Sequence, residues 1–157
     1  MPKVAILAGE PSGDMIASQL MSELNKRYKN IEYIGVGGPL MSKCGLKSYF
    51  DYSHLSVRGY FEAIKNLPKL LKFRHSLINY LLQQKPDIFI GIDVPDFNFA
   101  IEKKLKANQI PTFHYVAPSV WAWRKNRIYK MKDYMDHLFS IFPHEAVIFK
   151  KINLPVT

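Results

Sequence analysis

The stretch of sequence that decides the fold is residues 87–98, Asp87-Ile-Phe-Ile-Gly-Ile-Asp93-Val-Pro-Asp96-Phe-Asn98. Its first half, Asp87–Ile92, is a short apolar run typical of a strand buried on both faces. Two aspartates and a proline follow, and apolar residues then recur at helical spacing, which predicts a helix over Phe97–Ala107. A buried strand that leads through a tight turn into a helix is the repeating unit of a parallel sheet.

The same alternation of apolar runs and amphipathic stretches continues on both sides of this stretch. Further strands are predicted at Lys3–Ala8, Tyr33–Val36, Thr112–Val116 and His137–Ile141. Further helices are predicted after Asp14 and over Leu40–Lys43, Val57–Leu82, Arg127–Tyr134 and Glu145–Lys150. The longest helical stretch has a break near Pro68, which suits the first turn of a second helix. Short connections between such elements predict an α/β fold, a parallel sheet covered by helices on both faces.

The size and composition of the chain predict one cytoplasmic domain. It has 157 residues, of which 48% are hydrophobic and 22% charged, which is enough for one hydrophobic core. No apolar run approaches the roughly 20 residues that a membrane-spanning helix needs, and the first residues lack the features of a signal peptide. The single cysteine, Cys44, agrees with a reducing compartment. The final residues, Leu154–Thr157, are typical of the approach to another strand, so we expect the sequence to continue beyond them.

The charge of the chain favours an anionic partner. Lys and Arg number 22 against 13 Asp and Glu, which gives a formal net charge of +9. Nucleic acid, phosphorylated small molecules and an acidic membrane face are the candidates, and ordinary solvated lysines are the simpler alternative. Base-stacking aromatics interleaved with Arg and Gly, as in RNA-binding sheets, are missing from the sequence, so we expect no nucleic-acid partner.

The region between residues 57 and 74 combines bulky apolar and basic side chains. The apolar residues expected to associate with a membrane are Val57, Tyr60, Phe61, Ile64, Leu67, Leu70, Leu71 and Phe73. The basic residues around them are Arg58, Lys65, Lys69, Lys72 and Arg74. An apolar face with a cationic rim is typical of a helix that lies on an anionic bilayer. Two ordinary helices that face the core and carry solvated lysines are the alternative.

The connections at one edge of the predicted sheet hold most of the candidate site residues. Ligands of parallel α/β sheets bind outside the carboxyl ends of the strands. The connections at that edge are Gly9–Asp14, Gly35–Pro39, Gly91–Asp96 and Val116–Arg124, and they are rich in Gly, Pro, Asp and Trp. We therefore predict that segments far apart in the sequence line one crevice.

The first two of these connections could hold an anion or serve only as turns. The candidate substrate-binding residues in them are Gly9, Ser12, Gly13, Asp14, Gly37 and Gly38. Backbone N–H groups at the start of a helix attract anions, although neither a Walker loop nor a dinucleotide fingerprint is present. A tight strand-to-helix turn capped by Ser12 or Asp14 is an equal alternative.

The third connection supplies two candidate carboxylates, Asp93 and Asp96. A carboxylate within hydrogen-bonding reach can accept the proton of an attacking alcohol. Capping of the helix that begins near Phe97 is the alternative for either residue. Asp87 lies before the same strand, at the opposite edge, and is expected to be structural.

The fourth connection contains both tryptophans of the chain. The candidate substrate-binding residues here are His114, Ser119, Trp121, Trp123 and Arg124. The tryptophans suit a platform for a sugar or acyl group, with a structural lid as the alternative. His114 could contact phosphate or be a hydrogen-bonded packing residue. The histidines and the cysteine show no metal-ligand spacing, so neither a metal nor another cofactor is predicted.

Five segments together resemble the lipid-A-disaccharide synthase family and occur in the order of that family. They are Ala8-Gly-Glu-Pro-Ser-Gly-Asp14, Gly35-Val-Gly-Gly-Pro39, Leu55-Ser-Val57, Phe89-Ile-Gly-Ile-Asp-Val-Pro-Asp-Phe-Asn98 and His114-Tyr-Val-Ala-Pro-Ser-Val-Trp-Ala-Trp-Arg124. The last two are highly specific, whereas the first two would be weak alone. The resemblance runs over nearly the whole chain.

The resemblance implies a Rossmann-like, doubly wound parallel sheet, as in the amino-terminal domain of an inverting GT-B glycosyltransferase. Such an enzyme transfers 2,3-diacylglucosamine from its UDP derivative to 2,3-diacylglucosamine 1-phosphate, which makes the β(1→6) disaccharide of lipid A. By this likeness Asp96 is the catalytic base for the acceptor 6-hydroxyl, and residues 57–73 are the membrane-associating region at the cytoplasmic face of the inner membrane. Residues 1–157 would then be the acceptor-side domain, without the second, UDP-binding domain, and the full-length enzyme could form homo-oligomers. A non-catalytic domain that binds anionic lipid is the alternative.

Overall fold

The computed structural model describes residues 1–50, 67–118 and 128–157. These residues form six strands, which are β1 (Lys3–Ala8), β2 (Glu32–Val36), β3 (Leu46–Ser48), β4 (Ile88–Ile92), β5 (Thr112–Tyr115) and β6 (His137–Phe139). They also form six helices, which are α1 (Pro11–Arg27), α2 (Pro39–Lys43), α3 (Leu67–Gln84), α4 (Pro95–Ala107), α5 (Ile128–Met131) and α6 (Pro143–Lys150).

All six strands belong to one parallel sheet in the order β3-β2-β1-β4-β5-β6. This order reverses between β1 and β4, as in a doubly wound Rossmann sheet. The predicted α/β class and the Rossmann-like topology are therefore confirmed. The reversal matters for function because, in sheets of this kind, the connections on its two sides diverge and ligands bind in the crevice between them.

Alternating side chains of the central strands build a core on each face of the sheet. On one face Ala5 and Leu7 of β1 pack with Leu77 and Leu81 of α3 and with the apolar stripe of α4. On the other face Val4, Ile6 and Ala8 pack with α1 and α2. A strand buried on both faces must be apolar at every position, which explains the unbroken runs in the sequence.

The sequence-based boundaries differ from the structure at the starts of helices and at the ends of α5 and β6, which stop at Met131 and Phe139. Four helices begin at a proline, Pro11, Pro39, Pro95 and Pro143, a residue or more before the apolar spacing becomes visible. Proline suits the first helical position because its missing N–H has no partner there in any case. Pro68 lies in the first turn of α3, as predicted, whereas the preceding part of the predicted helical stretch, up to residue 66, is outside the described residues.

Two edge features complete the sheet. Strand β3 was not predicted, because it has only three residues and exposes two of them. The predicted approach to another strand at Leu154–Thr157 is confirmed, because Val156 forms a parallel bridge with Leu138 of β6. Within the described ranges, no helix is both long enough and apolar enough to cross a membrane.

Candidate functional site at the carboxyl edge of the sheet

The last residues of four neighbouring strands stand side by side at one edge. Leu7 pairs with Val36, Ala8 with Ile92, and Ile92 with Tyr115. Neighbouring strands in a sheet are about 4.8 Å apart, so the connections after β2, β1, β4 and β5 begin next to one another. These connections therefore begin side by side, as predicted, and their lining of one crevice stays a prediction.

The connection after β1 is only Gly9 and Glu10, so Ser12, Gly13 and Asp14 belong to the first turn of α1 rather than to a loop. Gly9 and Gly13 are buried and Ser12 is exposed. Neither Ser12 nor Asp14 caps α1, since its N-terminal cap is Glu10 and makes no side-chain cap hydrogen bond.

Asp14 instead holds the start of the neighbouring helix α2. Its carboxylate accepts hydrogen bonds from the N–H groups of Gly38 (2.9 Å), Met41 (3.0 Å) and Leu40 (3.1 Å). Gly38 is required there, because a Cβ on it would lie 2.5 Å from an Asp14 carboxylate oxygen. The buried Asp14 carboxylate therefore already serves three backbone groups of its own chain.

The connection after β4 has an unusual backbone. Asp93 (φ 52°) and Val94 (φ 42°, ψ 58°) are both left-handed, and Val94 is the N-terminal cap of α4. This conformation costs a β-branched residue on the order of 1–2 kcal/mol, because its Cβ approaches the following carbonyl oxygen. Two consecutive left-handed residues that are not glycine, at the point where the strand order reverses, mark the turn as a candidate functional site.

The two carboxylates of this turn differ in their surroundings. Asp93 is half-buried, and none of the described residues hydrogen-bonds to its carboxylate. Asp96 is exposed in the first turn of α4, and the Arg74 guanidinium lies 3.4 Å from its backbone oxygen. Neither residue is the cap of α4.

A row of buried polar side chains lies behind this turn. Asn98 Nδ2 donates to the backbone oxygen of Asp93 (2.7 Å), and His114 Nδ1 lies 2.6 Å from Glu102 Oε1. Asn98, Glu102 and His114 have no exposed surface. His114 therefore offers no surface to a ligand, and its geometry matches the alternative of a hydrogen-bonded packing residue.

The connection after β5 begins with Val116, which is also left-handed (φ 78°), followed by Ala117 and Pro118. Its amide donates to the oxygen of Phe139, the last residue of β6. The predicted site residues Ser119, Trp121, Trp123 and Arg124 lie outside the described residues.

A surface groove lies where β3 ends. It has a volume of about 460 Å³ and is lined by Tyr49, Phe50, Lys69, Lys72, Phe73 and Ser76. The Phe50 and Phe73 rings meet edge-on at 4.9 Å, and Phe73 in turn stacks on Phe97 of α4, beside Asp96. Aromatic walls with two ammonium groups can accept a molecule that has both apolar and anionic parts.

The predicted membrane-associating residues are only partly described. Val57, Tyr60, Phe61 and Ile64 lie outside the described residues, as does the side chain of Leu67. Leu70 and Phe73 pack against the core, as the alternative of core-facing helices requires, whereas Leu71 is 44% exposed.

Sequence reasoning missed three parts of this edge: Asn98, Glu102 and the aromatic groove. A signal for the first two was present, because polar residues at positions i and i+4 fall on one helix face. That face can pack on the sheet only over a small strand residue, and Gly91 is such a residue. Among the described residues, no three His, Cys, Asp or Glu side chains are close enough to hold a metal ion.

Comparison with known proteins identifies the family. A profile of the family described as lipid-A-disaccharide synthetase matches residues 4–157. The chain belongs to this family. Lipid-A-disaccharide synthase of Idiomarina loihiensis is 49% identical over 156 residues, which are 99% of this chain and 41% of that protein. The Methylobacillus flagellatus protein of the same name is 45% identical over 157 residues, with 100% and 42% covered. The chain thus spans about two fifths of the length of these relatives.

Solved structures share the fold at low sequence identity. UDP-GlcNAc 2-epimerase from Neisseria meningitidis, in a structure with bound UDP-GlcNAc, superposes with a TM-score of 0.64 at 15% identity, over 99% of this chain and 45% of that one. Acinetobacter baumannii MurG has a TM-score of 0.58 at 16% identity, over 91% and 42%. These likenesses support the Rossmann-like, GT-B-type fold class of this lipid-A-disaccharide synthase family member.

Proposed function

We propose that the chain is the acceptor-side domain of a lipid-A-disaccharide synthase. The enzyme transfers 2,3-diacylglucosamine from UDP-2,3-diacylglucosamine to 2,3-diacylglucosamine 1-phosphate and releases UDP. The observation that carries this proposal is the Asp93–Asp96 turn, which stands at the carboxyl edge of the sheet in a member of this family. The UDP-binding domain would lie in the part of the relatives that this chain does not cover.

The reaction needs one proton acceptor on the acceptor side. The acceptor 6-hydroxyl attacks the anomeric carbon of the donor, the bond from that carbon to the UDP oxygen breaks, and the hydroxyl proton passes to a carboxylate. Attack from the face opposite UDP inverts the anomeric configuration. General-base assistance of this kind contributes about 10²–10⁴-fold to the rate.

Two carboxylates compete for this role. The resemblance to the family implies Asp96, and its exposure leaves it accessible to a sugar hydroxyl. The geometry favours Asp93, which directly follows the strand, is half-buried and has a carboxylate to which none of the described residues donates. We therefore assign the base to Asp93 and place Asp96 at the rim of the same site.

The other candidate residues fall into three groups. We expect Gly9, Ser12, Gly13, Gly37 and Gly38 to bring backbone close to the acceptor sugar, and we keep Ser119, Trp121, Trp123 and Arg124 as candidate substrate-binding residues. Asp14 and His114 support these connections from behind, since both are buried and bonded within the chain.

The groove beside β3 supports a second function, binding to an anionic membrane at its cytoplasmic face. Lys69, Leu71 and Lys72 are all exposed near the start of α3, and the two lysines line the groove. We expect binding to vesicles of anionic phospholipid that falls with salt and falls again in Leu71→Ser. Val147→Ser is the matched control, because Val147 is 59% exposed on α6. Equal binding by both variants would contradict this second function, as would binding unaffected by salt.

The transfer reaction is tested in the full-length protein that carries this chain. Incubation with both substrates should yield a disaccharide 1-phosphate and UDP in equal amounts, detected by mass spectrometry. Residues 1–157 alone should give no product, because the proposed UDP-binding domain would lie in the part of the relatives that they do not cover. Disaccharide formation by residues 1–157, or its absence with the folded full-length protein, would contradict the proposal. Homo-oligomerisation of the full-length enzyme can be measured on the same sample by light scattering.

A further inference from the structure

The most unusual feature away from the rim is the buried row Asn98, Glu102 and His114. Three of its atoms, Asn98 Oδ1, Glu102 Oε2 and His114 Nε2, have no hydrogen-bonding partner among the described residues. Buried polar groups without partners are unfavourable, so a fold keeps them only for a reason. Apolar side chains at these positions would pack on the sheet at lower cost.

The sheet is built to accommodate this row. Gly91 of β4 and His114 of β5 are paired in register, and α4 crosses above them with Asn98 and Glu102 one helical turn apart. A Cβ on Gly91 would lie 2.4 Å from Glu102 Oε1 and 3.2 Å from Asn98 Cγ. The polar row thus occupies the space that a side chain at position 91 would fill.

We propose that Asn98, Glu102 and His114 are positioning residues that lock the Asp93–Val94 turn in its left-handed conformation. The lock is direct at Asn98, whose amide donates to the backbone oxygens of Asp93 (2.7 Å) and Ile92 (3.4 Å). These two carbonyls flank the point at which the backbone turns. The inference rests on the proposed function in one respect, namely that this turn carries the catalytic carboxylate.

Glu102 and His114 restrict the movement of this turn further and link it to the connection after β5. His114 is held to Glu102 and precedes the left-handed Val116 by two residues. The amide of Asp93 donates to the oxygen of Tyr115, the residue between them. The polar row and the Asp93–Tyr115 backbone hydrogen bond together therefore link the left-handed turn at Asp93 and Val94 to the left-handed Val116.

The test measures backbone conformation in residues 1–157 by NMR, without any assay of activity. We expect Asn98→Ala to change the Cα and Cβ chemical shifts and the HN–Hα couplings of Asp93 and Val94 away from left-handed values. Amide exchange at Phe97 and Asn98, which donate to the Val94 oxygen, should become about tenfold faster, as expected for loss of one buried hydrogen bond. Asn108→Ala is the matched control, because Asn108 also bonds a backbone oxygen of α4 but at its exposed end. Left-handed shifts retained in a folded Asn98→Ala would overturn the proposal.

A second background keeps the test decisive if Asn98→Ala unfolds. Glycine adopts left-handed conformations without strain, so the turn in Val94→Gly should depend less on Asn98. The loss of stability in Asn98→Ala should accordingly be smaller in the Val94→Gly background. An equal loss in both backgrounds would mean that Asn98 stabilises the fold without acting on the turn.

The full-length enzyme provides the functional readout. A positioning role predicts that Glu102→Ala lowers kcat with little change in KM, and that Glu102→Gln, which keeps a hydrogen bond to His114, restores most of it. An equal fall of kcat in Glu102→Ala and Glu102→Gln, or a rise in KM with kcat unchanged, would contradict the positioning role. If the full-length enzyme shows no transfer at all, the proposed function fails, while the NMR result still decides the lock.

Discussion

The junctions β1–α1 and β4–α4 have the same topology but use their acidic residues differently. At β1–α1 the Asp14 carboxylate is buried and accepts three backbone hydrogen bonds from the start of α2. At β4–α4 Asp93 is half-buried and Asp96 is exposed, and the backbone between them is strained. The position of an aspartate after a strand therefore does not reveal its role, which depends on the groups around its carboxylate. The first junction is made for stability, and the second keeps carboxylates at the rim.

Replacement of Asp14 should give the largest loss of stability. Asp14→Ala removes the acceptor of three backbone N–H groups, each of which costs about 1–3 kcal/mol when buried without a partner. We expect the free energy of unfolding in urea to fall by at least about 3 kcal/mol. Asp96→Ala, at an exposed position, should change it by less than about 1 kcal/mol. Similar losses in the two variants would remove the contrast between the junctions.

Substitution of Gly38 tests whether the lack of a side chain there makes room for the Asp14 carboxylate. A Cβ on Gly38 would lie 2.5 Å from Asp14 Oδ2, so Gly38→Ala should cost about 2 kcal/mol by displacing the carboxylate. In the Asp14→Ala background the same substitution should cost less than about 1 kcal/mol, because the clash is gone. Additive losses in the double variant, measured by urea unfolding, would contradict this explanation.

Relief of strain at the other end of the edge should stabilise the fold. Val116 is left-handed, and Val116→Gly should raise the free energy of unfolding by about 1 kcal/mol, since glycine has no Cβ to strain. Val147→Gly, in the exposed face of α6, should lower it by about 1 kcal/mol. Thermal unfolding of the two variants gives the comparison, and destabilisation by Val116→Gly would show that no strain is held there.

The smallest effect concerns a carboxylate at the opposite, amino edge. Burial raises the pKa of Asp136, but hydrogen bonds from the Thr112 N–H (2.8 Å) and the Lys106 ammonium (2.9 Å) outweigh it and hold that pKa below its usual value. A pKa lower in the folded than in the unfolded state means that the unfolded chain binds more protons. The stabilisation is therefore present above the unfolded pKa and is lost as the pH falls through the folded one. We expect wild type to exceed Asp136→Asn in stability at pH 6 and this difference to shrink towards pH 3. A difference that does not change with pH would contradict this expectation.

The sequence predicted the strands better than it predicted the chemistry. Continuous apolar runs such as Ile88–Ile92 are a direct consequence of burial on both faces, so the parallel sheet and its carboxyl edge followed from them. The partners of a polar side chain depend on what the fold brings near it, and Asp14 meets residues 24–27 positions further along the chain. Strand β3 has only three residues, too few to show a regular pattern of apolar and polar side chains.

The same limit explains why the role of His114 stayed open in the sequence. Pairing of His114 with Glu102 requires the register of β5 against β4 and the crossing of α4, neither of which is local. Asp87 was easier, because its place before a strand predicted a structural role. Its carboxylate does accept a hydrogen bond from the amide of Lys3 (2.7 Å).

The most direct test of the central claim is the kcat/KM of Asp93→Asn compared with that of Asp96→Asn in the full-length enzyme. If the left-handed turn presents the base, Asp93→Asn should lose about 10²–10⁴-fold, and Asp96→Asn less than about tenfold, with both proteins folded. Near-normal activity in Asp93→Asn would contradict this account.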